Sequence, residues 1–446
     1  MMNEKLFPYQ KEGVAHLIKY NGGILGDEMG LGKTVQAIEF CRLKNADSVL
    51  IICPANLLIN WYREVVKWGG EWAANKKIEV AKSIPKSDKA IRRLLGANIL
   101  IMNYAKAKSM HWITTSKKWG VLICDEAHYL KNLQAQRTQY ILGNRNIEKI
   151  EAESKIFITG TPYKNSALDV YPLANALKIG VLGKYVDFRR RYVHHDLLEL
   201  HIGNGRIKYV DKYYGVKHED ELVERLKGVG FIRRLKSEVL TQLPEKTIQI
   251  IPLSSVKQSQ IKAIIEATDD EEMPLATLRR LIGEAKAGAV VEHVLEVMES
   301  DGRPVVIFAH HRNVIERIAA EIRKKGYTSD VLYGGMSSDE KQIIVDKFQG
   351  GKIDALVASI TAAGVGITLT RARIAIFAEL DWTPANVFQA EDRIHRIGQK
   401  DNVLIQYIVI PGTIDEKVAE ALYRKEADIL KFIGLSDRKY LTNTVA

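Results

Sequence analysis

Cysteine is scarce: the chain has three in 446 residues, Cys41, Cys53 and Cys124. Each sits among apolar neighbours and no two form a Cys-x-x-Cys pair, so neither a disulfide framework nor a zinc site is expected. A reducing compartment follows. Long apolar runs are missing too; none approaches the ~20 residues that span a bilayer. The opening stretch, Met1 to Tyr9, lacks the charged-then-apolar layout of a secretory leader. There is no low-complexity tract and no repeat at solenoid spacing. These absences exclude disulfide-stapled, membrane-spanning and solenoid classes. They lead to the expectation of a soluble intracellular protein with no membrane partner, cytoplasmic or nucleoid-associated in a bacterium or virus, nuclear in a eukaryote.

What is present is an ordinary globular balance, 46% hydrophobic and 27% charged, over a length that suits about three domain-sized units. The formal charge is +11. That fits either plain solubility or a polyanionic partner whose counterions lysine and arginine displace. Charge alone does not choose.

Short apolar, β-branched runs recur at 49–53, 98–102, 121–124 and 155–158, and again at 305–308, 355–358, 374–377 and 403–407. Their apolar character is continuous rather than alternating, which predicts strands covered on both faces, as in parallel sheets. Helix-period segments such as 314–325 and 338–348 lie between them, giving α/β layering. Residues 166–230 are rich in Tyr, Arg, His and Lys and poor in strand signals. The expected organisation is a first α/β lobe over 1–165 and a helical insertion over 166–230. A linker with a second short insertion follows over 231–284, then a second lobe over 285–435 and a tail over 436–446. Residues 267–274 are expected to form a solvated loop.

Gly26-Asp27-Glu28-Met29-Gly30-Leu31-Gly32-Lys33-Thr34 follows the apolar pair Ile24-Leu25 and precedes a helical stretch. Strand, glycine loop and helix together make a phosphate cradle: glycines let backbone N–H groups turn inward, and the helix N-terminus adds partial positive charge. Lys33 suits the β- and γ-phosphates of ATP, and Thr34 suits Mg²⁺. The general pattern has glycine where this chain has Asp27. Asp125-Glu126-Ala127-His128 follows the strand at 121–124. A carboxylate there faces the ligand crevice of a parallel sheet. Asp125 suits the Mg²⁺ shell and Glu126 a base that orients water. Read alone, the pair could equally be a helix cap; the upstream Lys33-Thr34 favours catalysis.

With these motifs the sequence resembles the helicase-like ATPases of superfamily 2, specifically the Swi/Snf family of double-stranded DNA translocases, from about Leu6 to Leu430. The resemblance implies two RecA-like lobes with parallel sheets. Leu6 to Gly13 is similar to the family's opening motif, in which Gln10 would read adenine. Asp27 to Thr34 matches the family's own form of the loop, which accounts for the missing glycine. Cys53-Pro54-Ala55 with Asn60-Trp61, Asn103-Tyr104, and Thr159-Gly160-Thr161-Pro162 resemble further motifs. They make Pro54, Asn60, Trp61, Asn103, Tyr104 and Thr161 candidate DNA contacts. Ser359, with Gly364 and Gly366, resembles a motif facing both DNA and ATP. Gln389 to Gln399 is similar to a family signature; Gln389 would lie at the nucleotide, and Arg393 and Arg396 would be arginine fingers, a role suited to their bidentate geometry.

The segments 231–244, 308–311 and 377–382 resemble the annealing-helicase subgroup that remodels forks, and they add Trp382 as a candidate DNA contact. Ala127 departs from the subgroup's serine. The subgroup's substrate-recognition, zinc-finger and nuclease modules, and chromatin readers, are not expected within these 446 residues. The expectation is a DNA-dependent ATPase moving on double-stranded DNA, with forked DNA a candidate substrate. A strand-separating helicase, an RNA-dependent ATPase and an ATP-switched clamp are the alternatives. Arg189 to Arg191 is a candidate phosphate-binding cluster. His310 and His311 are read as structural residues or DNA-side contacts, and Trp68, Trp72, Trp112 and Trp119 as packing residues.

Overall fold

Parallel pairing buries both faces of a strand, and the continuous apolar runs all become strands for that reason. The computed structural model describes residues 2–160, 166–202, 206–240, 243–253, 275–363, 367–381, 383–420 and 422. The linker loop expected at 267–274 and the tail at 436–446 lie outside them. The chain divides into two compact units, Met1–Thr241 and Gln242–Ala446.

In the first unit β1 (Gly22–Leu25), β2 (Val49–Cys53), β3 (Ile78–Val80), β4 (Ile99–Asn103), β5 (Trp119–Asp125), β6 (Ala152–Ile158) and β9 (Phe231–Ile232) make a parallel sheet in the order β3-β4-β2-β5-β6-β1-β9. Register sets the function of this sheet. Leu25 and Asp125 both pair with Ile158, so the loop after β1 and the acidic pair closing β5 leave the sheet at one level. Cys53 pairs with Asn103, which puts the ends of β2 and β4 side by side. All three cysteines are buried and free.

The segment expected to be a helical insertion differs. Helices Tyr171–Leu177, Tyr185–Tyr192 and Glu219–Lys227 are present, but β7 (His194–Ile202) and β8 (Arg206–Tyr214) form an antiparallel hairpin between them. Its polar residues interrupt any apolar run, so both strands escaped the periodicity reading. Phe231–Ile232 was read as the start of the linker, yet it is the edge strand of the first sheet. Among the tryptophans read as packing, Trp119 is buried, whereas Trp112 is 48% exposed on the short helix His111–Thr114.

The second unit holds β10 (Lys246–Pro252), β11 (Val305–Ala309), β12 (Ser329–Leu332), β13 (Ala355–Ser359), β14 (Ile374–Phe377) and β15 (Val403–Val409). They form a parallel sheet in the order β10-β15-β14-β11-β13-β12. Strand β10 lies upstream of residue 285, so this sheet draws on the segment read as linker. Val306 and Phe308 pack into one core, and Val305, Ile307 and Ala309 into another on the opposite face. Helices therefore cover both faces, and both units have the architecture of a RecA-like lobe. No helix among the described residues is long and apolar enough to cross a membrane.

The long helix Leu275–Asp301 carries a buried cation into this core. Lys286, 1% exposed, donates to the Ile408 carbonyl at 2.7 Å and to the Asp415 carboxylate. Lys286→Ala would strand the carboxylate, a change that costs about 3–5 kcal/mol when a buried pair is broken. The denaturant midpoint of the second unit should fall accordingly; a loss below about 1 kcal/mol would mean that Asp415 simply takes up a proton.

Candidate nucleotide site

The glycine loop leaves β1 and runs into α2 (Lys33–Leu43). Gly30 and Gly32 have φ of 84° and 73°, in the left-handed region that glycine tolerates. A Cβ on Gly32 would also lie 2.4 Å from Gln10 Nε2. Lys33 Nζ donates to the carbonyls of Asp27 and Glu28 at 2.7 and 3.1 Å. Thr34 follows in the first turn of α2, where amides not bonded within the helix favour an anion. Met29 is packed against Gly160, at which a Cβ would meet its Cγ at 2.7 Å.

Gln10, on α1 (Pro8–Tyr20), is joined to this loop. Its Nε2 donates to the Leu31 carbonyl at 3.2 Å, as does the Tyr9 hydroxyl at 3.1 Å. Asp27, the residue replacing the general glycine, has no exposure at all. Its carboxylate accepts from Gln36 Nε2 at 3.0 Å and from Arg234 Nε and Nη2 at 3.1 and 2.6 Å. Neither Gln36 nor Arg234 was singled out from the sequence. The nearest signal was the Arg233-Arg234 pair in the 231–244 segment, which was read only as a mark of resemblance.

Across β6 lies the acidic pair. Asp125 is 8% exposed, and Trp61 Nε1 donates to its Oδ2 at 2.8 Å. The Glu126 amide donates to its Oδ1 at 2.9 Å, and the Tyr104 hydroxyl to its carbonyl at 2.7 Å. Burial, with the neighbouring Glu126 charge, pushes the Asp125 carboxyl up to about 6, against the opposing pull of the Trp61 bond, the Glu126 amide and Lys33. Glu126 has φ of 51°, uncommon for a residue with a side chain. Its carboxylate lies 3.2 Å from His128 Nδ1. Hydroxyl and carboxylate oxygens, as on Thr34 and Asp125, are the donor set of a hard divalent cation.

A groove of about 680 Å³ opens at the ends of β2 and β4, lined by Pro54, Asn103 and Tyr104 together with Lys108, Tyr129 and Arg137. Three candidate DNA contacts thus share one wall. Asn103 is 6% exposed, and its Oδ1 has no hydrogen-bond partner among the described residues. Arg137 stacks over the Tyr129 ring, 5.3 Å from its centroid. Asn60 is half-buried on the helix Leu58–Ala74. Trp61 is a correction: fully buried and bonded to Asp125, it offers no surface to DNA. The cluster Arg189 to Arg191 is engaged locally, with Arg190 on Asp187, Arg191 on Glu221 and Arg189 over the Tyr213 ring.

In the second unit, Gln389 lies on the helix Pro384–Glu391. Arg393 and Arg396 follow the helix and share one acceptor, the Ile367 carbonyl, at 3.5 and 3.1 Å. They are half-buried, not on an exposed helix face. Ser359 ends β13, buried, with its hydroxyl 3.1 Å from that of Thr361. His310 and His311 lie just beyond β11, and both their amides converge on the buried Glu379 carboxylate, at 2.8 and 2.9 Å. Thr161, Gly364, Gly366 and Trp382 lie outside the described residues.

A phosphate-type loop level with an acidic pair, and an arginine pair in a second RecA-like unit, define the class of helicase-like nucleoside triphosphatases. Residues 9–293 match the model of the SNF2-related domain, and residues 286–398 that of the helicase conserved C-terminal domain. The chain belongs to the SNF2-related, helicase-like family. It is 33% identical over 456 residues to the Caenorhabditis elegans homolog of SWI/SNF-related matrix-associated actin-dependent regulator of chromatin subfamily A-like protein 1, covering 98% of this chain and 63% of that protein. It is also 33% identical over 451 residues to the human DNA annealing helicase and endonuclease ZRANB3, covering 95% of this chain and 40% of that one. The chain therefore spans only part of these curated relatives. A solved Sulfolobus solfataricus SWI2/SNF2 ATPase core in complex with dsDNA aligns over 98% of this chain and 94% of its own, at 22% identity and a TM-score of 0.45.

The raised Asp125 carboxyl has a stability consequence with a definite sign. The folded state holds this proton more tightly than the unfolded chain does, so ionisation opposes folding. The penalty is absent below pH ~4, grows between about 4 and 6, and is complete above. Without divalent metal, Asp125→Asn is expected to melt above the wild type at pH 8, and the gap should close toward pH 4. Equal melting temperatures at pH 8 would contradict it.

Proposed function

We propose that this chain is an ATP-dependent translocase on double-stranded DNA, acting on forked or branched DNA to remodel or anneal it. The observation that carries the reading is that the loop after Leu25 and the pair Asp125-Glu126 leave the sheet level with Ile158, with the Lys33 charge acting on Asp125. The loop from Asp27 to Gly32, with Lys33, cradles the phosphates, and Gln10 reads the adenine beside Leu31. Mg²⁺, held by Thr34 and Asp125, would neutralise developing phosphate charge. Glu126 orients the attacking water, its carboxylate held near His128 and its backbone fixed against Asp125. Arg393 and Arg396, with Gln389, Gly364 and Gly366, are the second unit's contribution, the two arginines stabilising charge in the transition state.

The groove beside β2 and β4 suits a sugar-phosphate backbone. Lys108 and Arg137 supply charge, and Asn103 supplies a polar edge. Ser359, Thr161, Asn60 and Trp382 are further proposed DNA contacts on the strength of the sequence resemblance. The reading of forks as substrate is supported by the relative named a DNA annealing helicase.

Steady-state ATPase rates without nucleic acid and with duplex, single-stranded, forked DNA and RNA, at fixed low salt, test the reading. Duplex should stimulate strongly and forks more; stimulation by RNA or single strands alone would replace the proposed substrate. Glu126→Gln should bind ATP while losing turnover by about 10²–10⁴. Arg396→Ala should lower kcat by up to ~10³ or more while nucleotide affinity falls far less; parallel losses would make Arg396 a structural residue. Lys108→Glu with Arg137→Glu should weaken DNA binding and flatten its salt dependence by about two phosphate contacts; an unchanged salt slope would move the DNA elsewhere.

A further inference from the structure

The stretch by which the chain leaves the first unit is bonded residue by residue to the phosphate loop. The Ile24 amide donates to the Gly230 carbonyl at 3.2 Å, Gly26 to Ile232 at 2.8 Å and Glu28 to Arg234 at 2.9 Å. The ladder thus continues past β1 into the loop itself. The Lys236 amide then donates to the Glu28 carboxylate at 2.7 Å. The unit ends soon after, at Thr241.

Arg234 locks this ladder from the side-chain direction. It is 9% exposed and holds Asp27 by two bonds, Gln36 Oε1 at 2.9 Å and the Tyr9 carbonyl, with the Tyr9 ring 5.4 Å from its guanidinium. Space for the cluster depends on Gly13: a Cβ there would fall 2.0 Å from Gln36 Oε1 and 2.5 Å from Arg234 Nη2. From the other side, Lys33 holds the carbonyls of Asp27 and Glu28. These two loop residues are therefore gripped by the phosphate-seeking lysine and by the exit segment at once. A lysine that turns to phosphate releases carbonyls whose own amide and carboxylates the exit segment still holds.

We propose that Arg234 is a positioning residue for nucleotide turnover: it joins the phosphate loop, the Gln10 motif and α2 to residues 231–236, so that nucleotide in the loop is registered where the chain leaves the first unit. The inference rests on the loop being the nucleotide site. Changing Arg234 or Gly13 disturbs how the loop is held without removing a group of the phosphate cradle.

The experiment is amide hydrogen exchange on the full chain carrying Glu126→Gln, with and without Mg·ATP, with ATP binding followed in the same samples by displacement of a fluorescent analogue. ATP should slow exchange at 32–36 and also at 231–236, by about tenfold or more for the latter. Adding Arg234→Gln should keep the effect at 32–36 and abolish it at 231–236. In the otherwise wild-type enzyme the same change should raise KM for ATP by about tenfold, more than it lowers kcat, and Arg234→Lys should regain stability without regaining KM. If Arg234→Gln does not fold, Gly13→Ala displaces the cluster while leaving every charge in place. It should uncouple 231–236 in the same way. ATP bound with no change at 231–236, or a response there that survives these variants, overturns the proposal. Failure of ATP to bind the Glu126→Gln chain at all would instead bring down the nucleotide-site reading on which it rests.

Discussion

A carboxylate with no contact to water is costly to bury unless it is paired and hydrogen-bonded. Asp27 is that carboxylate, and much of the first unit is arranged around it. Its partner comes from the far end of the unit, so the exit segment has to dock beside β1. Gln36 on α2 completes its coordination, and Gln36 and Arg234 crowd against α1 where only Gly13 leaves room. One buried charge therefore fixes the relative placement of the Gln10 motif, the loop, α2 and β9. A glycine at this position, as in the general loop pattern, would need none of that.

The acidic pair follows a different logic. Asp125 is kept ionisable in a dry place by single hydrogen bonds, from Trp61 and from the Glu126 amide, and by a lysine nearby. Such a site sacrifices folding free energy for chemistry. Tyr104 links it to the groove, because one face of this residue lines the groove while its hydroxyl holds the Asp125 carbonyl. A displacement on the groove side thus has a short, hydrogen-bonded route to the residue proposed to hold the metal.

The strands legible in the sequence are the interior ones. Apart from the separate β7–β8 hairpin, those that escaped notice are β3, β9, β10 and β12, the edges of the two large sheets. An edge strand is covered less completely, so its residues need not be continuously apolar; β10 alternates and β9 is two residues long. The loop and the acidic pair were legible because their chemistry is packed into consecutive residues. Arg234 was not, because its partner is 207 residues away and no local period records such a pairing. Trp61 misled for a related reason: a motif shows which residues belong together, not whether they face solvent.

The place of β1 in its sheet has a consequence for synthesis. β1 begins at Gly22 but lies between β6 and β9, the last two strands of the sheet to be made. On the ribosome, where chains grow at about 5–20 residues per second, the amino-terminal strand has no partner until β6 emerges and lacks its second until β9 does. A nascent chain stopped between them would carry Lys33, Thr34, Asp125 and Glu126, and would still leave Asp27 without its counter-ion. Within this unit the phosphate loop is made before most of the strands, yet the partners that flank β1 are made last, so an ordered cradle requires the unit to be finished.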